Sequence, residues 1–169
     1  IKSNKQTGLL GINIGPNKDS DNRLGDYLDC FKTFQDVADY ITINISSPNT
    51  EDLRSFHDQT KLNKLLETIN NEKKNLGSGI PIVVKVSPDI DDDEIKKITE
   101  VLLNNNIDAV IISNTSDSTR DNLNDIQKHQ KGGLSGKPIE EKSTNLVSKF
   151  YSIFNGKVKI IGVGGVDSG

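Results

Sequence analysis

Asn44, Ser46, Ser47, Asn49 and Thr50 fall within one run of eight residues, Ile43-Asn44-Ile45-Ser46-Ser47-Pro48-Asn49-Thr50. An apolar segment that reads as a buried strand leads into it, so its polar groups sit where a strand gives way to a loop. In alternating strand–helix proteins that junction is where chemistry is done. Two amides and three hydroxyls stand there together, and Pro48 stiffens the exit from the run.

Lys85 is the second candidate, in Val83-Val84-Lys85-Val86-Ser87-Pro88-Asp89. A lysine inside an apolar strand costs several kcal/mol, roughly, unless its charge is paired or used. It could snorkel from the strand end, form a Schiff base as in barrel aldolases, or stand as a cation beside an anionic cofactor. Ile111-Ile112-Ser113-Asn114-Thr115 repeats the pattern of strand, hydroxyl and amide. Alone it is ordinary loop chemistry; its place at the same strand ends as Asn44 and Lys85 gives it weight.

Two glycine-rich turns follow, Gly132-Gly133-Leu134-Ser135-Gly136-Lys137-Pro138 and Gly162-Val163-Gly164-Gly165-Val166. Glycine lets backbone N–H groups come close to a phosphate, and a helix N-terminus adds partial positive charge. Neither turn has the spacing of a P-loop. Gly136 before the fourth helix and Gly165 after the fifth strand resemble the phosphate sites late in barrels. Asn13, in Asn13-Ile14-Gly15-Pro16, reads by itself as a turn residue. Arg54, His57 and Arg120 read as solvated or lid residues, and Cys30 as packing.

The elements that must position these groups alternate. Apolar runs rich in Ile and Val at 9–14, 40–45, 80–86, 109–113 and 159–163 read as strands of a parallel sheet covered on both faces. Between them come helical stripes: Phe31, Phe34, Ala38 and Ile41; then Leu62, Leu65, Leu66, Ile69 and Leu76. Ile95, Ile98 and Leu102 follow the acidic start Asp91-Asp92-Asp93-Glu94, which suits the positive end of a helix dipole better than a metal. Leu146, Val147, Phe150, Tyr151 and Phe154 make the fourth stripe. Polar residues and glycines gather after each strand, the layout of an α/β (β/α)₈ barrel. Such a barrel needs about 250 residues, so these strands are most of one but not a closed one. An open flavodoxin-like sheet is the alternative.

Composition narrows the function further. The chain has 169 residues and a formal net charge of −3, which gives no reason to expect nucleic acid as a partner. One cysteine and two histidines without ligand spacing argue against a disulfide framework and a metal site. No stretch approaches the roughly 20 apolar residues of a membrane span, and no signal peptide is visible. The chain opens on Ile1 and stops at Gly169 after a glycine-rich turn, so both ends read as cut.

Taken in order, six segments resemble the membrane-associated class of dihydroorotate dehydrogenases across essentially the whole chain. They are Gly11-Ile12-Asn13-Ile14-Gly15, Asn44 to Thr50, Val84-Lys85-Val86-Ser87-Pro88-Asp89, Ser113-Asn114-Thr115, Gly132-Gly133-Leu134-Ser135-Gly136 and Gly162-Val163-Gly164-Gly165. The resemblance implies a flavin-binding TIM barrel, with residues 1–169 as a partial barrel domain running from about its third strand to its seventh. It implies flavin mononucleotide (FMN) contacts at Asn13, Asn44, Lys85, Ser113, Gly136 and Gly165. Contacts to dihydroorotate or orotate are implied at Asn44, Asn49, Asn114 and Thr115.

Ser47 matches the family's catalytic base. Serine rather than cysteine there points to the class that passes electrons to a quinone. By the same resemblance the reaction is oxidation of dihydroorotate to orotate in de novo pyrimidine (UMP) synthesis. The enzyme would be held at a bacterial inner membrane, on its cytoplasmic face, or at the mitochondrial inner membrane, through an N-terminal region that precedes this sequence. The chain departs from the family at Glu51-Asp52, where Pro-Gly is common. A serine base needs a buried setting and an exit for its proton, through Thr50 or water. Two other readings stand beside this one: an inactive barrel fragment or binding module, and a Schiff-base aldolase built on Lys85.

Overall fold

The computed structural model describes residues 8–47, 53–118, 120–121 and 123–167. Five strands run β1 (Gly11–Ile14), β2 (Tyr40–Asn44), β3 (Ile82–Val86), β4 (Ala109–Ile112) and β5 (Lys159–Gly162). Four helices separate them: α1 (Arg23–Phe34), α2 (Gln59–Asn75), α3 (Asp92–Asn104) and α4 (Glu140–Phe154). The strands are shorter than the apolar runs, yet their ladder bonds continue past the ends. Ile45 N–H donates to Lys85 O at 3.3 Å, and Asn114 N–H to Val86 O at 3.0 Å. The chain just past β2 and β4 is thereby held to β3.

All pairings are parallel and the spatial order is β1-β2-β3-β4-β5, the order of the chain. A flavodoxin-like sheet reverses at a switch point; this one never does. The open-sheet alternative is therefore set aside, and the arrangement is that of an incomplete (β/α)₈ barrel. Without a reversal the helices gather on one face, and α1, α2, α3 and α4 pack in succession. On that face Ile14, Ile41, Ile43, Ile45, Ile82, Val84, Val86, Val110 and Ile112 join Tyr27, Phe31, Leu65, Ile98 and Phe150 in one core.

Successive residues of a strand point to opposite faces, so the paired residues Asn13 and Thr42, Asn44 and Lys85, and Lys85 and Ile111 share the other face. In a barrel that face lines the interior. Ile161 and Val163 lie exposed along the β5 side.

The helices start where the chemistry of their caps requires. Asn22 accepts from Gly25 N–H at 3.1 Å, and Asp58 from Lys61 N–H at 3.1 Å. Asp91 and Glu94 form a capping box at α3, so the acidic run is a helix start as its sequence indicates. Two apolar stripes overreach. Ala38 lies beyond the end of α1 and Ile41 belongs to β2. Leu76 follows the last residue of α2 and is exposed. Tyr151 faces outward from α4, while Leu146, Phe150 and Phe154 are buried.

Candidate functional site

Asn44 ends β2 with its Cα paired to that of Lys85, and both face the barrel interior. Its backbone carbonyl accepts the Tyr27 hydroxyl at 2.6 Å, so α1 anchors the strand end from behind. Burial holds the Tyr27 phenol above its ordinary pKa, with Arg23 pulling weakly the other way, so it serves as a neutral donor. The side-chain Oδ1 of Asn44 accepts from Ser46 N–H at 3.2 Å and from Ser46 Oγ at 2.8 Å.

Across two strands, Asn114 Nδ2 donates to the same Ser46 Oγ at 2.9 Å. The Asn114 Oδ1 accepts from Thr115 N–H at 2.8 Å. Ser46 thus joins the two amides, and Ser47 follows it directly, half-buried.

Lys85 stands half-buried beside this set. Burial pushes its pKa below the usual lysine value, with no charged group contributing, and no partner for its ammonium occurs among the described residues. A cation half-removed from water and unpaired calls for an anionic or polar group to share the interior with it.

The second cluster lies at the turn after β5. Gly165 has φ +80°, and a Cβ there would fall 2.5 Å from Glu140 Cβ, 2.8 Å from Glu140 Cα and 3.0 Å from Gly136 O. Gly164 has φ +116°, and its Cβ would meet Ser143 Oγ at 2.7 Å. Only glycine lets this turn lie against the first turn of α4. No side chain caps α4; the short 3₁₀ turn Lys137–Ile139 leads into it, and Glu140 N–H donates to Lys137 O. Ser113, buried, brings its hydroxyl to Ser143 Oγ at 3.0 Å and to Asn114 O at 3.1 Å. Ser113 therefore links the amide cluster to the glycine cluster.

The structure brings together Asn44, Lys85, Ser113, Asn114 and Thr115 at adjoining strand ends, and Gly136 with Gly165. Asn13 lies on the same sheet face at β1 but is exposed. Asn49 and Thr50 lie outside the described residues. Thr115 is covered by Gly133, where a Cβ would fall 1.8 Å from Thr115 Oγ1. Together these residues fit a flat polar cofactor with a phosphate tail: an unpaired cation and amides for its ring, and a glycine turn at a helix start for the phosphate.

Sequence reasoning gave Ser46 no role of its own within its run, and it missed Ser143 and the ion pairs around Asp89. Arg54 is no solvated residue: it donates to Asp89 Oδ2 at 3.2 Å and to Asp117 Oδ1 at 2.6 Å. His57 is 5% exposed; burial first, and Arg54 second, lower its pKa to about 4. Arg120 gathers the carbonyls of Lys128, Gln130 and Gly132, folding the long loop before α4. That loop and Lys18 border a polar cleft of about 760 Å³, which none of the candidate site residues lines. Cys30 packs against the core as its sequence indicates.

The family model for dihydroorotate dehydrogenase matches residues 1–169. The chain is 42% identical over 173 residues to the dihydroorotate dehydrogenase (quinone) of Pseudoalteromonas translucida, covering 99% of this chain and 52% of that protein. It is 44% identical over 177 residues to the enzyme of the same name from Vibrio parahaemolyticus, again 99% and 52%. The ligand-free crystal structure of DHODH from Eimeria tenella superposes with a TM-score of 0.92 at 34% identity, covering 98% of this chain and 50% of that one. The chain spans about half the length of the curated relatives it matches.

Proposed function

Because the chain belongs to the dihydroorotate dehydrogenase family, we propose that it forms part of the flavin-binding barrel of an enzyme that oxidises dihydroorotate to orotate in pyrimidine synthesis. The observation that carries this reading is Lys85, half-buried and without a partner among the described residues, at the same level of the sheet as Asn44. When bound, FMN supplies the acceptor for the hydride that leaves dihydroorotate, and a quinone is the final acceptor of the electrons.

The protein's own part is binding, orientation and proton removal. Asn44, Lys85 and Asn13 hold the flavin ring, and Lys85 supplies positive charge where negative charge develops. Ser113, Gly136 and Gly165 serve its phosphate end, supported by the φ values of both glycines and the uncapped start of α4.

Asn44, Asn49, Asn114 and Thr115 hold the substrate. Each amide offers a donor and an acceptor to a planar diamide ring, and the remaining N–H groups suit its carboxylate. Ser47 takes the proton from the carbon next to the one that loses hydride. Free serine is a weak base, so the half-buried setting and a relay through Thr50 or water must carry the proton away.

Membrane association is part of the same proposal and rests on the quinone class of the relatives; no described helix is long and apolar enough to cross a membrane. The reading is tested on the full-length protein. It should co-purify with about one FMN per chain and reduce a quinone analogue when given dihydroorotate. A folded protein that takes up no flavin would refute it. A substrate trapped on Lys85 by borohydride would establish the aldolase instead.

A further inference from the structure

We propose that Asp89 is a positioning residue for the substrate, holding Asn114 and Thr115 in register with Asn44 through one carboxylate shared by three other chain segments. The inference rests on the dihydroorotate reading and adds to it a residue outside the site.

Asp89 lies in the loop after β3, and its side chain is 12% exposed. Oδ1 accepts from Ser116 Oγ at 2.6 Å and pairs with Lys142 of α4. Oδ2 accepts from Asp117 N–H at 3.0 Å and from Arg54 at 3.2 Å. Its own N–H donates to Ser87 Oγ at 3.1 Å, fixing the loop that carries it. Burial would raise the pKa of this carboxyl, but the donors around it hold it well below the usual range, so it is an anion at any working pH.

The arrangement reaches the site by a short path. Ser116 also exchanges both backbone hydrogen bonds with Leu134, at 2.9 and 2.6 Å, which lays Gly133 over Thr115. Two residues before Ser116, Asn114 reaches Ser46, and Ser46 reaches Asn44. Arg54 ties in the 3₁₀ helix Leu53–His57 that follows the Ser47 segment. None of these polar groups belongs to the apolar core. Their joint effect is to fix loops against one another at the carboxyl ends of the strands.

Asparagine cannot replace this carboxylate. It has one acceptor oxygen, so its NH₂ must face either Ser116 and Lys142 or Asp117 N–H and Arg54, all of them donors. At least two of the four contacts are lost, and with them the register of the Asn114 loop.

The test uses the full-length flavoprotein. Asp89→Asn should keep its flavin and its KM for quinone while KM for dihydroorotate rises about tenfold, the effect of losing contacts to a charged group. Asp89→Glu should recover part of that loss. Where Asp89→Asn does not fold, Ser116→Ala removes one contact and should raise the same KM about threefold. A merely structural role predicts a lower Tm with the parental KM in the molecules that remain folded. KM within twofold of the parent in the variants that fold overturns the proposal. If the parent itself does not oxidise dihydroorotate, the family reading fails instead. The hub is then judged by hydrogen exchange at residues 113–117: faster exchange in Asp89→Asn supports it, and unchanged protection overturns it.

Discussion

The two clusters can be separated by a graded set of alanine substitutions at the glycines near α4. Gly162 has ordinary φ and open space around a Cβ, so Gly162→Ala should bind flavin within about twofold of the parent. Gly136 also has space, but its φ of 78° and ψ of −154° lie where only glycine is comfortable. Gly136→Ala therefore carries backbone strain alone, about 1–3 kcal/mol, or roughly 5- to 150-fold in affinity if the strain opposes the bound conformation. Gly165→Ala adds a collision. A Cβ 2.5 Å from Glu140 Cβ is at least about 1 Å short of carbon–carbon contact, and the atom it meets is next to the backbone of α4. Overpacking adds about 1–3 kcal/mol, so the total is about 2–6 kcal/mol and flavin should bind at least roughly 30-fold more weakly. Titrating each flavin-free full-length variant with FMN, following quenching of flavin fluorescence, reads the order directly. Equal affinity for Gly165→Ala and Gly162→Ala would refute the placement of the phosphate at this turn.

Three other outcomes follow from the same geometry. Ser47→Ala should retain flavin and slow dihydroorotate oxidation by at least about 100-fold, the scale of a lost general base; stopped-flow turnover within a few-fold of the parent would refute the role. Ser47→Cys should keep measurable activity, because a thiol gives up its proton more readily near neutral pH. His57, whose pKa burial lowers from 6.5 to about 4, stays neutral in the fold while the unfolded chain binds a proton. Its contribution is therefore fully present above about pH 6.5 and is lost as pH falls toward 4, by up to roughly 3 kcal/mol. Urea unfolding of the full-length protein at pH 4.5 to 7 should show that loss, and His57→Gln should flatten it.

Periodicity reported the fold well because it reports faces. Ile41, Ile43 and Ile45 alternate with Thr42 and Asn44; the isoleucines are fully buried on the helix-covered face, and Thr42 is buried on the other. What a pattern of faces cannot give is neighbours: the same five strands could have reversed at a switch point. Only the strand order, β1-β2-β3-β4-β5 without a reversal, distinguishes a barrel wall from an open sheet. The stripe that ran on to Ala38 and Ile41 failed for a related reason. Asp39 N–H donates to Leu10 O at 2.8 Å, and Leu10 N–H to Asp39 Oδ2 at 2.6 Å. Pairing with the start of β1 takes the chain out of the helix, and no helical period contains that information.

The site divides along the same line. Asn44, Lys85 and Asn114 were legible because a polar residue at the end of an apolar strand is anomalous by itself. The bridging roles of Ser46 and Asp89 were not, since serine after a strand and aspartate in a loop are what turns contain anyway. Their meaning lies in separations that sequence cannot rank: 68 residues from Ser46 to Asn114, 27 from Asp89 to Ser116 and 53 from Asp89 to Lys142. The same separations predict how residues 1–169 behave when expressed alone. The contacts around Asp89 close within the described chain, but Ile161 is 40% and Val163 43% exposed along β5. At the sheet's outer edges, backbone N–H and C=O groups of β1 and β5 have no neighbouring strand among the described residues. Loops tied by ion pairs on a sheet with open apolar edges should give a loosely packed, aggregation-prone species without dihydroorotate oxidation. Sharp cooperative unfolding of a monomer, read by circular dichroism and sedimentation, would show that the five strands suffice and that the barrel reading asks for too much.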